Sequence, residues 1–219
     1  MVADLPDATE LMDLTPGQCR AILRHARVRV DRVGAREAPG VEQPVRLLGP
    51  IHGVEFSIPW SKNPRSDLHT IWDCRLVAAM IPLADWLSAR GIGEVHYFSV
   101  LRRRSSKRKK RLSQHNLGLA IDVLGFVPRR RFSPGDPRNA SRWDVEEHYP
   151  KGRVQGCPAR DFRDQSTDVY AQFVCFATQR GLFHTLLTPD YDRAHRNHLH
   201  LDLKAGQTRP ADPYVSFSD

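Results

Sequence analysis

The chain has no run of about 18 apolar residues, the length that carries a helix across a bilayer, so no transmembrane helix is expected. It has no Cys-x-x-Cys pair, which argues against a zinc knuckle, and no His-Glu-x-x-His, which excludes a thermolysin-like peptidase. No internal repeat is evident. The first ten residues include Asp4 and Asp7 and lack a basic stretch followed by an apolar one. Either the protein stays inside the cell, or the chain begins after a removed secretory signal.

What is present fits a soluble globular protein. A length of 219 residues suits one domain, or one domain with a large insertion, and the 40% hydrophobic and 26% charged content argues against disorder throughout. The formal charge of +8 and pI near 9.7 favour an anionic partner: nucleic acid, a membrane surface or an anionic cell-wall polymer. Arg102 to Leu112 contains eight Lys or Arg residues but no interleaved aromatics for base stacking. It lies between two candidate site elements, so an exposed loop rimming a cleft is preferred to a nucleic-acid arm. Cys19, Cys74, Cys157 and Cys175 are widely spaced, compatible with two disulfides in an oxidising compartment or four buried thiols in a reducing one.

Thr15-Pro16 starts a helix expected to run to Val28, and residues 43–60 read as two or three short strands. Leu76, Met80, Leu83 and Leu87 recur at helical spacing in a segment from Ser66 or Asp67 to Arg90, which Pro82 should kink or divide. Strands are expected at Glu94–Leu101, Leu119–Val123 and Phe183–Leu187, and a helix capped by Ser166 should run to Arg180. Residues 127–165, rich in Pro, Gly, Arg and Asp, read as a surface insertion.

The chemistry concentrates in two segments. In His198-Leu199-His200-Leu201-Asp202-Leu203, strand alternation puts the two histidines and the aspartate on one face and the leucines on the other, with His195 just upstream. In Ser113-Gln114-His115-Asn116-Leu117-Gly118-Leu119-Ala120-Ile121-Asp122, the carboxylate of Asp122 projects from an apolar strand and needs a cation, hydrogen bonds or solvent. His115, Asp122 and one imidazole of the His198/His200 pair make three protein ligands, the open zinc arrangement of a hydrolase, and a spare histidine can serve as general base.

Ser-x-His-x-x-Gly-x-Ala-x-Asp at Ser113 to Asp122, together with a late His-x-His at His198 and His200, resembles the zinc peptidases of the D-Ala-D-Ala carboxypeptidase, lysostaphin and hedgehog-like superfamily. More closely, Leu187-Thr188-Pro189-Asp190 through His195 to Leu203, with Asp73-Cys74-Arg75 upstream, is similar to bacterial proteins carrying the extensin-like C-terminal domain. The resemblance covers roughly Trp72 to Leu203. It implies His115, Asp122 and His200 as Zn2+ ligands, His198 as the catalytic histidine and His195 as a further active-site histidine. Ser99-Val100-Leu101-Arg102 matches the spacing of an arginine that stabilises the substrate carbonyl, with Arg103 as its neighbouring alternative. Ser113 and Asp202 are expected only to support the site through hydrogen bonds. The resemblance also suggests a cysteine at Cys74, and pairing Cys19 with Cys74 and Cys157 with Cys175 is the first of three connectivities to consider.

The expected architecture is α+β: a central, mostly antiparallel sheet of four to six strands carrying the metal ligands, flanked by helices, as in the hedgehog and D-Ala-D-Ala peptidase-like folds. Residues 1–65 are expected to add a helix and short strands outside this core, and residues 66–219 to form the extensin-like, peptidase-like domain. The expected function is zinc-dependent hydrolysis of peptidoglycan peptides, in the periplasm or outside the cell. The alternatives are a non-catalytic zinc-containing binding protein of the cell envelope and, less favoured, a nucleic-acid-binding protein.

Overall fold

The computed structural model describes residues 6–103, 113–129, 141–154, 157 and 164–204. The basic run beyond Arg103 and much of the expected insertion, residues 130–140, 155–156 and 158–163, lie outside the described residues.

Two sheets and two long helices organise the fold. Strands β1 (Val30–Arg32), β2 (Pro44–Leu47) and β4 (Trp72–Asp73) form a small antiparallel sheet. The larger sheet has six strands: β3 (Glu55–Ser57), β5 (Ile92–Tyr97), β6 (Ala120–Pro128), β9 (Leu199–Asp202) and β8 (Thr185–Leu187) in that order, with β7 (Trp143–Asp144) against β6. Only the β3–β5 pairing is parallel, so the architecture is α+β with a mostly antiparallel central sheet, as expected. Each sheet draws strands from both sides of residue 65, since β3 joins the larger sheet and β4 the smaller one.

Helix α3 (Cys74–Ala89) is buried along nearly its whole length and packs on β5. It begins eight residues later than the sequence suggested from Ser66. Asp67 and Asp73 are both capping residues, and the chain uses Asp67 for a 3-10 turn at Leu68–Thr70 and Asp73 for the helix. Pro82 lies inside α3 without dividing it. Helix α2 (Pro16–His25) stops short of Val28 because Arg27 turns into the left-handed region at φ 56°.

Helix α5 (Gln165–Gln179) is capped by Asp164, whose side chain accepts from the Thr167 amide, and not by Ser166, whose hydroxyl itself donates to Asp164. The short helices α1 (Ala8–Met12) and α4 (Val145–His148) complete the helical set among the described residues. Helix α4 and Tyr149 bury Val145 and the tyrosine ring inside what the sequence presented as a surface insertion. The expected strands at 94–101, 119–123 and 183–187 shift to Ile92–Tyr97, Ala120–Pro128 and Thr185–Leu187. No described helix is long and apolar enough to cross a membrane.

One disulfide and one buried ion pair tie the N-terminal segment to this core, and a second disulfide fastens residue 157 to α5. Disulfides join Cys19 to Cys74 and Cys157 to Cys175, the pairing considered first from the sequence. Asp73, fully buried, accepts from both the Nε and Nη2 of Arg75 and from the Gln43 amide, while Arg75 also reaches the Met12 carbonyl and Glu42. Such a pair is self-satisfied, and removing one partner costs about 3–5 kcal/mol because the other is left buried and uncompensated. The amide of Asp73 donates to the carbonyl of Gly118, which connects this hub to the segment that carries His115.

Candidate metal centre

The larger sheet has a core face and an open face. Leu199, Leu201 and Leu203 are all fully buried in the core, as are Val95 and Tyr97, so the alternate residues of the same strands point the other way. Asp122 on β6 stands directly across from His200 on β9, and Ala120 directly across from Asp202. At the register shift between His96 and Tyr97 the extra residue is Leu124 of β6, and beyond it the Phe98 amide donates to the Asp122 carbonyl and the Ser99 carbonyl accepts from the Asp122 amide. Past this point Phe98, Ser99 and Arg102 border the site.

His115 reaches the same point from a 3-10 turn, Gln114–Leu117, capped by Ser113. The Ser113 hydroxyl accepts from the His115 amide, so its contribution is to set the turn. Gly118 ends the turn at φ 67°, and a Cβ there would lie 3.0 Å from the Asp73 nitrogen and 3.3 Å from Val41. Glycine is required at this position both by conformation and by space.

Around Asp122 the donor atoms converge. Its Oδ1 lies 2.8 Å from His200 Nδ1, 3.1 Å from His115 Nε2 and 3.6 Å from His198 Nε2, and its Oδ2 accepts from Arg102 Nη2. One ligand atom each from His115, Asp122 and His200 fall within 4.8 Å of one another. Ligands roughly 2.0–2.2 Å from a tetrahedral zinc sit about 3.4 Å apart, so the three donor atoms, now between 2.8 and 4.8 Å from one another, would have to re-space around the ion.

The outer nitrogens are already committed. His115 Nδ1 donates to the Val100 carbonyl at 2.8 Å and His200 Nε2 to Asp202 Oδ2 at 3.0 Å, so the nitrogens that a metal would take, in place of a proton, are those now bonded to Asp122, His115 Nε2 and His200 Nδ1. Fixing ring orientation and tautomer through the second nitrogen is how metal-binding histidines are prepared, and it gives Asp202 a specific job. Two imidazoles and one carboxylate form a donor set that suits zinc.

Electrostatics follow from this packing. Burial works to raise the Asp122 pKa, but hydrogen bonds from His115 and His200 outweigh it and hold the carboxyl well below its ordinary value. Burial pulls His200 down, yet its hydrogen bonds with Asp122 and Asp202 push it up to about 9. His198 moves the opposite way, lowered to about 4, chiefly by burial and further by His195, His200 and Arg102, against the pull of Asp122. His198 is therefore neutral at pH 7. Its Nδ1 faces Asn197 Oδ1 at 3.0 Å, which leaves Nε2 as the acceptor toward Asp122 and the cleft.

His195, on a 3-10 turn at Arg193–His195, is held by Asp192 Oδ1 at 2.7 Å and lies with its ring 5.1 Å from that of His198 and 5.9 Å from that of His200. Of the two arginines left open by the sequence, Arg102 enters the site, with Nε on the Ser99 hydroxyl at 2.6 Å, whereas Arg103 is exposed and does not line the cleft.

The site opens into a cleft of about 760 Å³. Among its lining residues are Trp60, His69, Phe98 and Asn197, which the sequence motifs did not single out. His69 Nδ1 bonds to the Leu101 carbonyl and steadies the strand exit that carries Arg102. Trp60 and His69 precede both motifs by dozens of residues, and only the β3–β5 pairing brings Trp60 to the cleft.

Fold and site together define an α+β protein with a histidine and aspartate cluster on the open face of a mostly antiparallel sheet. Residues 159–210 match the family described as extensin-like protein C-terminus, a segment that includes α5, β8, β9 and His195, His198, His200 and Asp202. His115 and Asp122 lie outside the matched segment. No curated protein and no solved structure matches the chain.

Proposed function

We propose that the protein is a zinc-dependent peptidase of the periplasm or extracellular space, hydrolysing peptide bonds of peptidoglycan. The observation that carries the reading is the convergence of His115 Nε2, Asp122 Oδ1 and His200 Nδ1, each held by a second bond or a strand register, with His198, His195 and Arg102 around the same point. The peptidoglycan assignment is supported by the resemblance of the Ser113–Asp122 and His198/His200 motifs to cell-wall peptidases. The two disulfides support an oxidising compartment.

His115, Asp122 and His200 would hold the ion. When bound, zinc supplies a Lewis acid that polarises a carbonyl and makes water nucleophilic near neutral pH. His198, neutral and directed by Asn197, accepts the proton released as water attacks the carbonyl carbon and returns it to the leaving amine. His195, fixed by Asp192, lies beside His198 and orients the same water. Arg102, anchored on Ser99, supplies hydrogen bonds to the oxygen on which negative charge develops.

The deciding experiment incubates purified protein and zinc with muropeptides and reads the products by mass spectrometry, with His115→Ala as control. Products with a new amine and carboxyl terminus, lost in the variant, support the reading. Zinc bound at one ion per chain with no product from any muropeptide would favour a non-catalytic zinc-containing binding protein of the envelope.

A further inference from the structure

Among the described residues three large apolar side chains are exposed, Leu48, Trp60 and Tyr191, and the two aromatic ones stand at the candidate site. Trp60 lines the cleft at 53% exposure, and Tyr191, at 42%, stands outside the lining with its ring 5.6 Å from that of His195, which does line it. They end a continuous row of rings: Trp60 to Phe98 at 5.4 Å, Phe98 to His198 at 6.0 Å, His198 to His195 at 5.1 Å, and His195 to Tyr191. The proposed proton acceptor stands in the middle of that row.

Neither aromatic is a loose surface side chain. Trp60 occupies the turn Ile58-Pro59-Trp60-Ser61, closed by the Ser61 amide on the Ile58 carbonyl at 3.0 Å and pinned by the Ser61 hydroxyl on Asp67 at 2.7 Å. Tyr191 ends the turn Thr188-Pro189-Asp190-Tyr191, closed by its amide on the Thr188 carbonyl at 3.0 Å. Asp190 of that turn is bonded in addition by the Gly152 amide and the Tyr149 hydroxyl. Proline in the second position presets each turn, so both rings are presented with little ordering left to lose on binding. Leaving them in water costs hydrophobic free energy that a bound ligand would recover.

The topology restricts what that ligand can be. The three strands nearest the site, β5, β6 and β9, are each paired on both sides, so a substrate main chain cannot add to them as a new strand. Recognition away from the metal ligands must therefore come from side-chain faces. A flat, uncharged aromatic face complements the axial C–H groups of a pyranose ring, whose positive edges meet the negative face of the π system.

We infer that Trp60 and Tyr191 form a pyranose-binding subsite beside the metal centre, which holds N-acetylhexosamine units of the glycan while the attached peptide crosses His198. The inference rests on the peptidoglycan reading for the choice of sugar and for what crosses His198; the subsite itself is tested by binding alone. The probe is tri-N-acetylchitotriose, a neutral peptide-free sugar, titrated calorimetrically into the full chain at about 0.5 M salt, where attraction between polyanions and a basic protein is screened.

Binding should persist at that salt, fall about tenfold or more in Trp60→Ala, weaken in Tyr191→Ala and be largely retained in Trp60→Phe. The exposure of Trp60 leaves the fold intact in these variants, which unfolding curves check. A second arm compares KM for a glycan-linked muropeptide with that for the same stem peptide freed of sugar. The free peptide should show the higher KM in the native protein and no difference from the linked one in Trp60→Ala.

No heat with chitotriose, or equal binding by Trp60→Ala, overturns the subsite, as does equal KM for linked and free peptide. Chitotriose binding that depends on Trp60, with neither peptide cleaved, supports the subsite and removes the peptidase reading.

Discussion

Asp202 Oδ2 accepts a hydrogen bond from His200 Nε2 at 3.0 Å, and this contact between residues two apart on one strand decides which nitrogen of His200 faces Asp122. Asp202 itself is buried, and Lys204 Nζ stands 3.9 Å from its other oxygen. An aspartate outside the candidate donor set thus orients a histidine within it.

Replacing Asp202 by Asn should therefore weaken zinc affinity by about 10- to 100-fold while leaving the fold in place, the usual cost of losing a partner that orients a metal-binding histidine. Competition with a fluorescent zinc chelator measures it. Affinity equal to that of the native protein would mean that His200 needs no such partner.

The polar face of the last strand was legible in the sequence because a period of two sorts His200 and Asp202 from three leucines without any tertiary knowledge. The candidate donors His115 and Asp122 stood out through their motif, and the sheet then places Asp122 opposite His200 in register. Helix starts were less readable. Asp67 competes with Asp73, and Ser166 with Asp164, and which side chain caps the helix depends on the packing that follows it. Trp60 was not readable at all, since its contact with Phe98 depends on a strand pairing that spans some forty residues.

Gly118→Ala should couple stability to metal binding. The left-handed backbone alone costs an alanine about 1–2 kcal/mol, and its Cβ would press on the Asp73 nitrogen at 3.0 Å. Relief requires moving either the buried Asp73–Arg75 hub or the turn that holds His115. Chemical denaturation should show the loss of stability, and zinc titration of the folded variant a weaker site; native values in both would contradict the coupling.

The two disulfides should differ in weight. Cys19–Cys74 closes a sequence separation of 55 and Cys157–Cys175 one of 18, for which chain-entropy loss in the unfolded state amounts to roughly 4 and 3 kcal/mol. Cys19–Cys74 also fastens α2 to the first residue of α3, beside the Asp73 cap. Paired Cys→Ser variants compared by denaturant midpoint should therefore rank the Cys19/Cys74 variant as the less stable, and the reverse order would show that local packing outweighs loop length.

Arg102 offers the sharpest separation of chemistry from metal binding. Its guanidinium spans two fixed partners, Nε on the Ser99 hydroxyl and Nη2 on Asp122 Oδ2, a fork that a lysine ammonium cannot reproduce. Arg102→Ala should lower kcat/KM on a muropeptide by about 10²- to 10³-fold, the range for removing one preorganised donor to a developing oxyanion. Arg102→Lys should restore little of it, while Arg103→Ala, on an exposed side chain outside the cleft, should match the native enzyme. Zinc content should stay near one per chain in all three, because the ligand atoms of His115, Asp122 and His200 remain in place. Loss of zinc in Arg102→Ala would instead make the arginine a support for Asp122, and full activity in that variant would remove it from the reaction.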